Sequence, residues 1–297
     1  MLNIRTTPII QEVKLPGLKE TNLKVLREDL VHPFTGGNKW RKLKYNLLDF
    51  REQNKKVLLT FGGAYSNHLI ATSSATNQLG IDCIGIVRGD DVSNPCIQFM
   101  RENKMKVVFL NRGDYRKKNE PEFISSLLLK LKAEGKIQNH TDVFVLPEGG
   151  SNSAAVRGTA EIMNEITDTE NVFCACGTGG TVAGLSKGAK INQHIHGIPV
   201  LKAESFMQSN ISTLGGDLSK ITLHFDYHFG GYAKTTKELI AFCQDFYHLN
   251  KIQIEPVYTG KMLYAIQDLL KKGTFPVQSS MMAIHTGGIY PFFPIII

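Results

Sequence analysis

From Val57 onward the chain repeats one unit, a short apolar run followed by a helical pattern, and this repeat constrains the fold more than any other feature of its 297 residues. Residues 57–61 read as a strand broken by Gly62 and Gly63, and residues 67–79 as a helix closed by Gly80. Strands at 83–87, 107–110, 143–146 and 172–176 follow, separated by helical patterns from 94 to 102, through 127–131, through Ile162 and from Thr181. The runs are apolar without alternation, as expected of parallel strands buried on both faces. The fold class is therefore α/β, doubly wound. In such sheets ligands sit beyond the carboxyl ends of the strands, which directs attention to the loops there.

Composition narrows the function classes. No stretch approaches the roughly 20 apolar residues that a membrane span needs. The opening stretch MLNIRTTPIIQEVKLPG lacks the order of a secretory signal, so a cytoplasmic protein is expected. The net charge is +7, but the basic residues are dispersed over helical patterns, which suits solvated helix faces rather than nucleic acid. A basic chain also attracts anionic metabolites. Five scattered cysteines do not form a disulfide framework. Cys174 and Cys176 fall on one face of a strand and read as buried small hydrophobes, since no further Cys or His pair completes a metal site. His194 and His196 read as surface residues of a polar loop, and no metal is expected.

Four segments are chemically loaded. In Gly36-Gly-Asn-Lys-Trp-Arg-Lys42, two glycines permit close backbone approach and Asn38 is a good helix cap. Leu43, Leu47 and Phe50 share a helical face, so a helix should start near Lys39 or Trp40. A lysine there lies beside a positive helix end and near Arg41, Lys42 and Lys44, which favours the neutral amine that can attack a carbonyl. In Gly62-Gly-Ala-Tyr-Ser-Asn-His68, Ser66, Asn67 and the amides of a helix start could hold a carboxylate, or merely cap the helix. In Cys176-Gly-Thr-Gly-Gly-Thr181, unhindered amides and two hydroxyls could wrap a phosphate. Val182 stands where a dinucleotide site needs its third glycine, and Glu204, ending the next strand-like run, alone keeps an oxidoreductase reading open. In the fourth, Glu255-Pro-Val-Tyr-Thr-Gly-Lys261 with His285-Thr-Gly-Gly288, Tyr258 is a candidate acid or base, or a core aromatic. Thr286 at a strand end is a candidate cofactor contact, or an ordinary turn hydroxyl.

The ordered set GGNKWRKLKYNL, YSNH, CGTGGTVAGL, EPVYTGKMLYAI and HTGG resembles the D-cysteine desulfhydrase and 1-aminocyclopropane-1-carboxylate (ACC) deaminase family over nearly the whole chain. These are pyridoxal-phosphate enzymes of the tryptophan-synthase-β type. The resemblance implies fold type II, with two doubly wound parallel-sheet domains. It assigns 1–46 and 151–297 to a large domain binding pyridoxal 5'-phosphate, and 47–150 to a smaller closing domain. It implies a small amino-acid substrate and a homodimer. Lys39 matches the lysine that holds the cofactor covalently, Lys42 a phosphate contact, and Asn67 the side chain beside the cofactor's phenolic oxygen. Gly177, Thr178, Gly179, Gly180 and Thr181 match the phosphate cup. Thr259 and Thr286 join the cofactor contacts. Ser66, Asn67 and His68 match the substrate-carboxylate loop, and Lys39, Ser66, Tyr258 and Tyr232 (in Gly230-Gly-Tyr-Ala) the catalytic set.

Two positions separate the branches of that family. ACC deaminases place a glutamate after the motif tyrosine and a glutamine where this chain has His68, whereas here Thr259 follows Tyr258. A carboxylate partner makes the pyridine ring a deep electron sink, and a hydroxyl a shallower one. Loss of a thiol from cysteine suits the shallower sink, so the resemblance favours a D-cysteine desulfhydrase that yields pyruvate, ammonia and sulfide by α,β-elimination. ACC deaminase, giving 2-oxobutanoate and ammonia, is the alternative. The chain departs from the family at Tyr65, where glutamine is common, at Leu69-Ile-Ala71, and in the tail 289–297.

Overall fold

The apolar runs are strands whose middles are buried on both faces. The computed structural model describes residues 2, 4, 5, 7, 9–276 and 278–292. Among them the strands are β1 (Ile10–Glu12), β2 (Leu23–Leu26), β3 (Val57–Gly63), β4 (Asp82–Arg88), β5 (Lys106–Leu110), β6 (Val143–Leu146), β7 (Asn171–Cys176), β8 (His194–Pro199), β9 (Ile221–Leu223) and β10 (Met281–Ile284). The helices are α1 (Asn38–Glu52), α2 (Asn67–Leu79), α3 (Pro95–Glu102), α4 (Arg112–Arg116), α5 (Pro121–Ala133), α6 (Ser153–Ala160), α7 (Gly180–Gly188), α8 (Met207–Thr213), α9 (Lys237–Asn250) and α10 (Thr259–Lys271). The chain divides into two compact units, one of Leu43–Asn152 and one of Ile4–Lys42 with the chain from Ser153 onward.

The unit of Leu43–Asn152 has a wholly parallel sheet in the order β5-β4-β3-β6. Leu59 and Phe61 of β3 and Ile84 and Ile86 of β4 pack with Leu127 and Leu131 of α5. Ser66 caps α2 by accepting the Leu69 N–H, and Gly80 ends it in the left-handed region. The predicted break at Gly62 and Gly63 is absent, because both residues remain paired with β4.

The other unit has the sheet order β1-β2-β10-β7-β8-β9, parallel throughout except for β1 against β2. Its two faces show the period of a strand directly. Phe173 and Ala175 join a core with Leu239 and Phe246 of α9 and Leu263 and Ile266 of α10. Val172, Cys174 and Cys176 join the opposite core with Val182 and Leu185 of α7 and Ile211 of α8. Both sulfurs are thus buried on one face, as their spacing indicates.

Three further expectations need correction. The helix bearing Lys39 starts at Asn38, one residue early. His194 and His196 lie in β8, and His196 is buried. Its ring stacks on Phe173 at 4.6 Å and meets Asn171 Oδ1 and His224 Nε2, each at 3.1 Å. The polar surroundings in sequence hid an aromatic shelf supplied by distant residues. Burial, with His224 and His194 nearby, pulls the His196 pKa down to about 3, so the ring is neutral. Finally, β8 ends at Pro199, leaving Glu204 exposed in the turn beyond it, 4.0 Å from His228. Residues 293–297 of the tail lie outside the described residues.

Candidate active site

Strand order brings the loaded loops together. Strands β2, β10, β7 and β8 are parallel neighbours, and adjacent strands lie about 4.8 Å apart. Their carboxyl ends therefore deliver, side by side, the segment leading to Lys39, the His285–Gly288 turn, the 177–181 turn and Val200.

The turn before Lys39 is built by close approach. Gly37 has φ +65°, and a Cβ there would overlap the Thr286 carbonyl. Its N–H donates to the Glu28 carbonyl at 2.8 Å. The buried Glu28 carboxylate in turn accepts two N–H bonds from Arg41, at 2.7 and 2.9 Å. Asn38 Nδ2 donates to Thr181 Oγ1 at 2.9 Å, joining the lysine turn to the glycine turn. Gly37→Ala is expected to destabilise the protein by about 3 kcal/mol through left-handed strain and overlap. The readout is a lower urea midpoint at unchanged slope.

Lys39 is half-buried, and burial lowers its pKa to about 8, with Cys174 opposing. Cys174 is itself pushed up to about 12 by burial and stays a thiol, so its opposition is weak at neutral pH. Lys42, one helical turn on, is only 2% exposed, and burial followed by the Lys39 charge lowers it to about 7. A neutral amine at Lys39 was expected from surrounding positive charges. The cause is desolvation instead, and the Arg41 charge is matched by Glu28. Two such amines beside one glycine turn form a site for an anion that restores their charge.

The start of α10 supplies the opposite wall. Glu255 accepts backbone N–H bonds from Val257 at 2.6 Å, Tyr258 at 2.9 and 3.0 Å, and Thr259 at 2.7 Å. This carboxylate holds the first turn of the helix, where amides are otherwise unsatisfied. Burial raises Glu255 to about 7 while those N–H donors and Lys261 pull it down. The Tyr258 ring lies over Gly177, where a Cβ would be 3.3 Å from Cε1. Tyr232 meets Tyr258 edge-on, with ring centroids 6.0 Å apart. Thr259 is fully buried, and its Oγ1 has no hydrogen-bond partner among the described residues. Thr286 is buried beside Gly37, as expected of a strand-end residue. Buried His285 meets the Gln253 carbonyl through Nε2 at 2.8 Å and the Gly287 N–H through Nδ1.

One unit therefore gathers Lys39, Lys42, 177–181, Tyr232, Tyr258, Thr259 and Thr286. Ser66, Asn67 and His68 belong to the other unit, where Ser66 and Asn67 are half-buried at the start of α2. His68 is buried and reaches Thr60 Oγ1 at 2.7 Å. The Thr60 hydroxyl gives its own proton to the Leu146 carbonyl, so His68 Nε2 is the donor and one ring nitrogen is committed to the sheet. Sequence reasoning missed Glu255, Glu28 and Lys261 as working parts. Lys261 is fully buried among the apolar residues of α10, and nothing in their periodicity marks a lysine there as interior.

An amine near neutrality, a second buried amine beside a glycine turn at a helix start, and a buried hydroxyl lacking a partner fit an aldehyde, a phosphate and a ring nitrogen respectively. That donor set on these parallel sheets defines a vitamin-B6 enzyme of fold type II. The chain belongs to the family of pyridoxal-phosphate dependent enzymes, whose pattern matches residues 1–287. It is 32% identical, over 89% of this chain and 84% of the relative, to a Pyrococcus horikoshii protein provisionally named 1-aminocyclopropane-1-carboxylate deaminase. It is 29% identical to the Arabidopsis thaliana bifunctional D-cysteine desulfhydrase/1-aminocyclopropane-1-carboxylate deaminase, mitochondrial, over 95% of this chain and 76% of that protein. The crystal structure of an ACC deaminase homologue superposes with a TM-score of 0.82 at 28% identity, covering 98% of this chain and 92% of that one. The cofactor is pyridoxal 5'-phosphate. Among the described residues no cluster of three His, Cys, Asp or Glu side chains could hold a metal, and no helix is long and apolar enough to cross a membrane.

Proposed function

We propose that the chain is a D-cysteine desulfhydrase, removing sulfide from the β-carbon and releasing pyruvate and ammonia. The observation behind this choice is Thr259, a buried, neutral and unpartnered hydroxyl where ACC deaminases of this family place a glutamate. When bound, pyridoxal phosphate supplies an electron sink that acidifies the α-carbon of the amino acid attached to it.

The protein's own groups do the rest. Lys39 would hold the cofactor and, as a free amine, would be the base that takes the substrate's α-proton. Burial leaves much of it neutral near pH 8, as a base of that kind requires. Lys42 and the amides and hydroxyls of 177–181 receive the phosphate. Asn38 keeps that turn in register with Lys39 through Thr181. Thr259 would pair with the cofactor's ring nitrogen, Thr286 would be a further contact, and Asn67 would serve its phenolic oxygen. Ser66, Asn67 and His68 would receive the substrate carboxylate. Tyr258 and Tyr232, which meet edge-on, would handle protons at the leaving group. The unit of Lys39 is the cofactor unit, Leu43–Asn152 the closing one, and the working form a cytoplasmic homodimer.

The deciding experiment incubates purified protein with D-cysteine, L-cysteine or ACC and measures sulfide, pyruvate and 2-oxobutanoate. We expect sulfide and pyruvate from D-cysteine, with kcat/KM for ACC lower by about 100-fold or more. 2-Oxobutanoate from ACC at the higher kcat/KM would replace this reading with the deaminase. A refractive-index and light-scattering mass of one chain would remove the dimer.

A further inference from the structure

Lys261, in the first turn of α10, matters for what its ammonium holds. It is fully buried, and Nζ donates to the carbonyls of Val200 at 3.2 Å, His228 at 2.9 Å and Gly231 at 2.9 Å. An ammonium has three N–H donors, and here each has its own acceptor. The three carbonyls come from separate places: the exit of β8 and two points on the 228–231 loop.

That loop needs holding. Phe229, Gly230, Gly231 and Ala233 have φ of +52°, +90°, +128° and +56°, so four residues flanking Tyr232 lie at positive φ. Phe229 and Ala233 carry side chains that disfavour this conformation, and strained backbone persists only where its surroundings over-determine it. Tyr232 itself is 44% exposed. Lys261 grips the loop on the residue before Tyr232, and it lies three positions after Tyr258, the residue that precedes α10.

We propose that Lys261 is a positioning residue that fixes the strained loop 229–233 and thereby sets Tyr232 against Tyr258 on the substrate side of the cofactor. Its three N–H donors are all spent on backbone carbonyls, and the proposal rests on the functional reading given above. Its consequence is selective: loss of the ammonium should misplace Tyr232 while Lys39, Lys42 and the 177–181 turn, held by other contacts, keep their places.

The test compares wild type with Lys261→Met by amide hydrogen exchange on cofactor-free protein, then by cofactor titration and steady-state kinetics. Exchange at 229–233 should accelerate about tenfold or more, with β7 and α7 unchanged. In the loaded variant kcat on D-cysteine should fall roughly 10- to 100-fold, while KM and cofactor affinity stay within about threefold. Unchanged exchange at 229–233, acceleration spread evenly through β7 and α7, or a wild-type kcat would each overturn the proposal. If Lys261→Met does not fold, Lys261→Gln, which keeps two N–H donors, should give intermediate exchange and kcat; wild-type values in both would overturn it. A wild-type protein that binds no pyridoxal phosphate would sink the functional reading instead, leaving the exchange comparison to decide the role of Lys261.

Discussion

Lys39→Ala is expected to lower turnover by roughly four orders of magnitude or more, because in the proposed function one amine both holds the cofactor and moves the α-proton. The structure makes this loss separable from unfolding. Lys39 is half-buried at the first turn of α1, where alanine is a favourable helix residue, and the turn before it is held by Gly37, Glu28 and Asn38 rather than by the lysine side chain. Circular dichroism and the urea midpoint should therefore match wild type or exceed it. Borohydride treatment of the loaded wild type should fix the cofactor to the peptide containing Lys39, and the variant should yield no labelled peptide. The Lys39 charge also helps hold Lys42 below its ordinary pKa, so its removal should let Lys42 protonate more readily. Full activity in Lys39→Ala, or a label on another lysine, would remove the assignment.

Much of this architecture was legible in the sequence because it follows from local physics. Uninterrupted apolar runs can lie only where both faces are covered, and β4 and β7 are such strands. Asn94 and Ser66 announce the helices they cap, and Gly80 the end of one. The glycine turns mark where backbone approaches backbone, as at Gly37 against Thr286. What stayed hidden depends on partners distant in the chain. His194 and His196 have polar neighbours in sequence, yet Phe173 and Asn171 turn His196 into an interior residue. Glu28 reads as one acidic residue among several until Arg41 arrives from α1 to neutralise it. Lys261 is buried because carbonyls from 200, 228 and 231 converge on it, which no pattern within α10 discloses. The neutral tendency of Lys39 was expected from its charged neighbours, whereas its cause is desolvation, a property of the packed state alone.

Lys42→Met should weaken cofactor binding by roughly 10- to 100-fold, the loss of one charge-assisted contact to phosphate, while making the cofactor-free protein more stable at neutral pH. The second effect follows from linkage. Lys42 binds its proton near pH 10.5 when unfolded and near about 7 in the folded chain. Below about 7 both states are protonated and folding carries the full cost of burying the charge. Between about 7 and 10.5 the unfolded chain holds more protons than the folded one, so stability rises with pH across that interval. Lys39, lowered to about 8, acts in the same direction over a narrower window. Wild-type apoprotein should thus gain several degrees in Tm relative to Lys42→Met between about pH 7 and pH 9. Inorganic phosphate should raise the wild-type Tm at pH 7 by supplying the missing counter-charge, and should leave the variant unmoved. The lysine is kept, on this account, at a cost to the empty protein for the sake of the anion it receives. A variant that binds pyridoxal phosphate as tightly as wild type, or whose cofactor-free form melts lower than wild type at pH 7, would show that Lys42 is buried for some other reason.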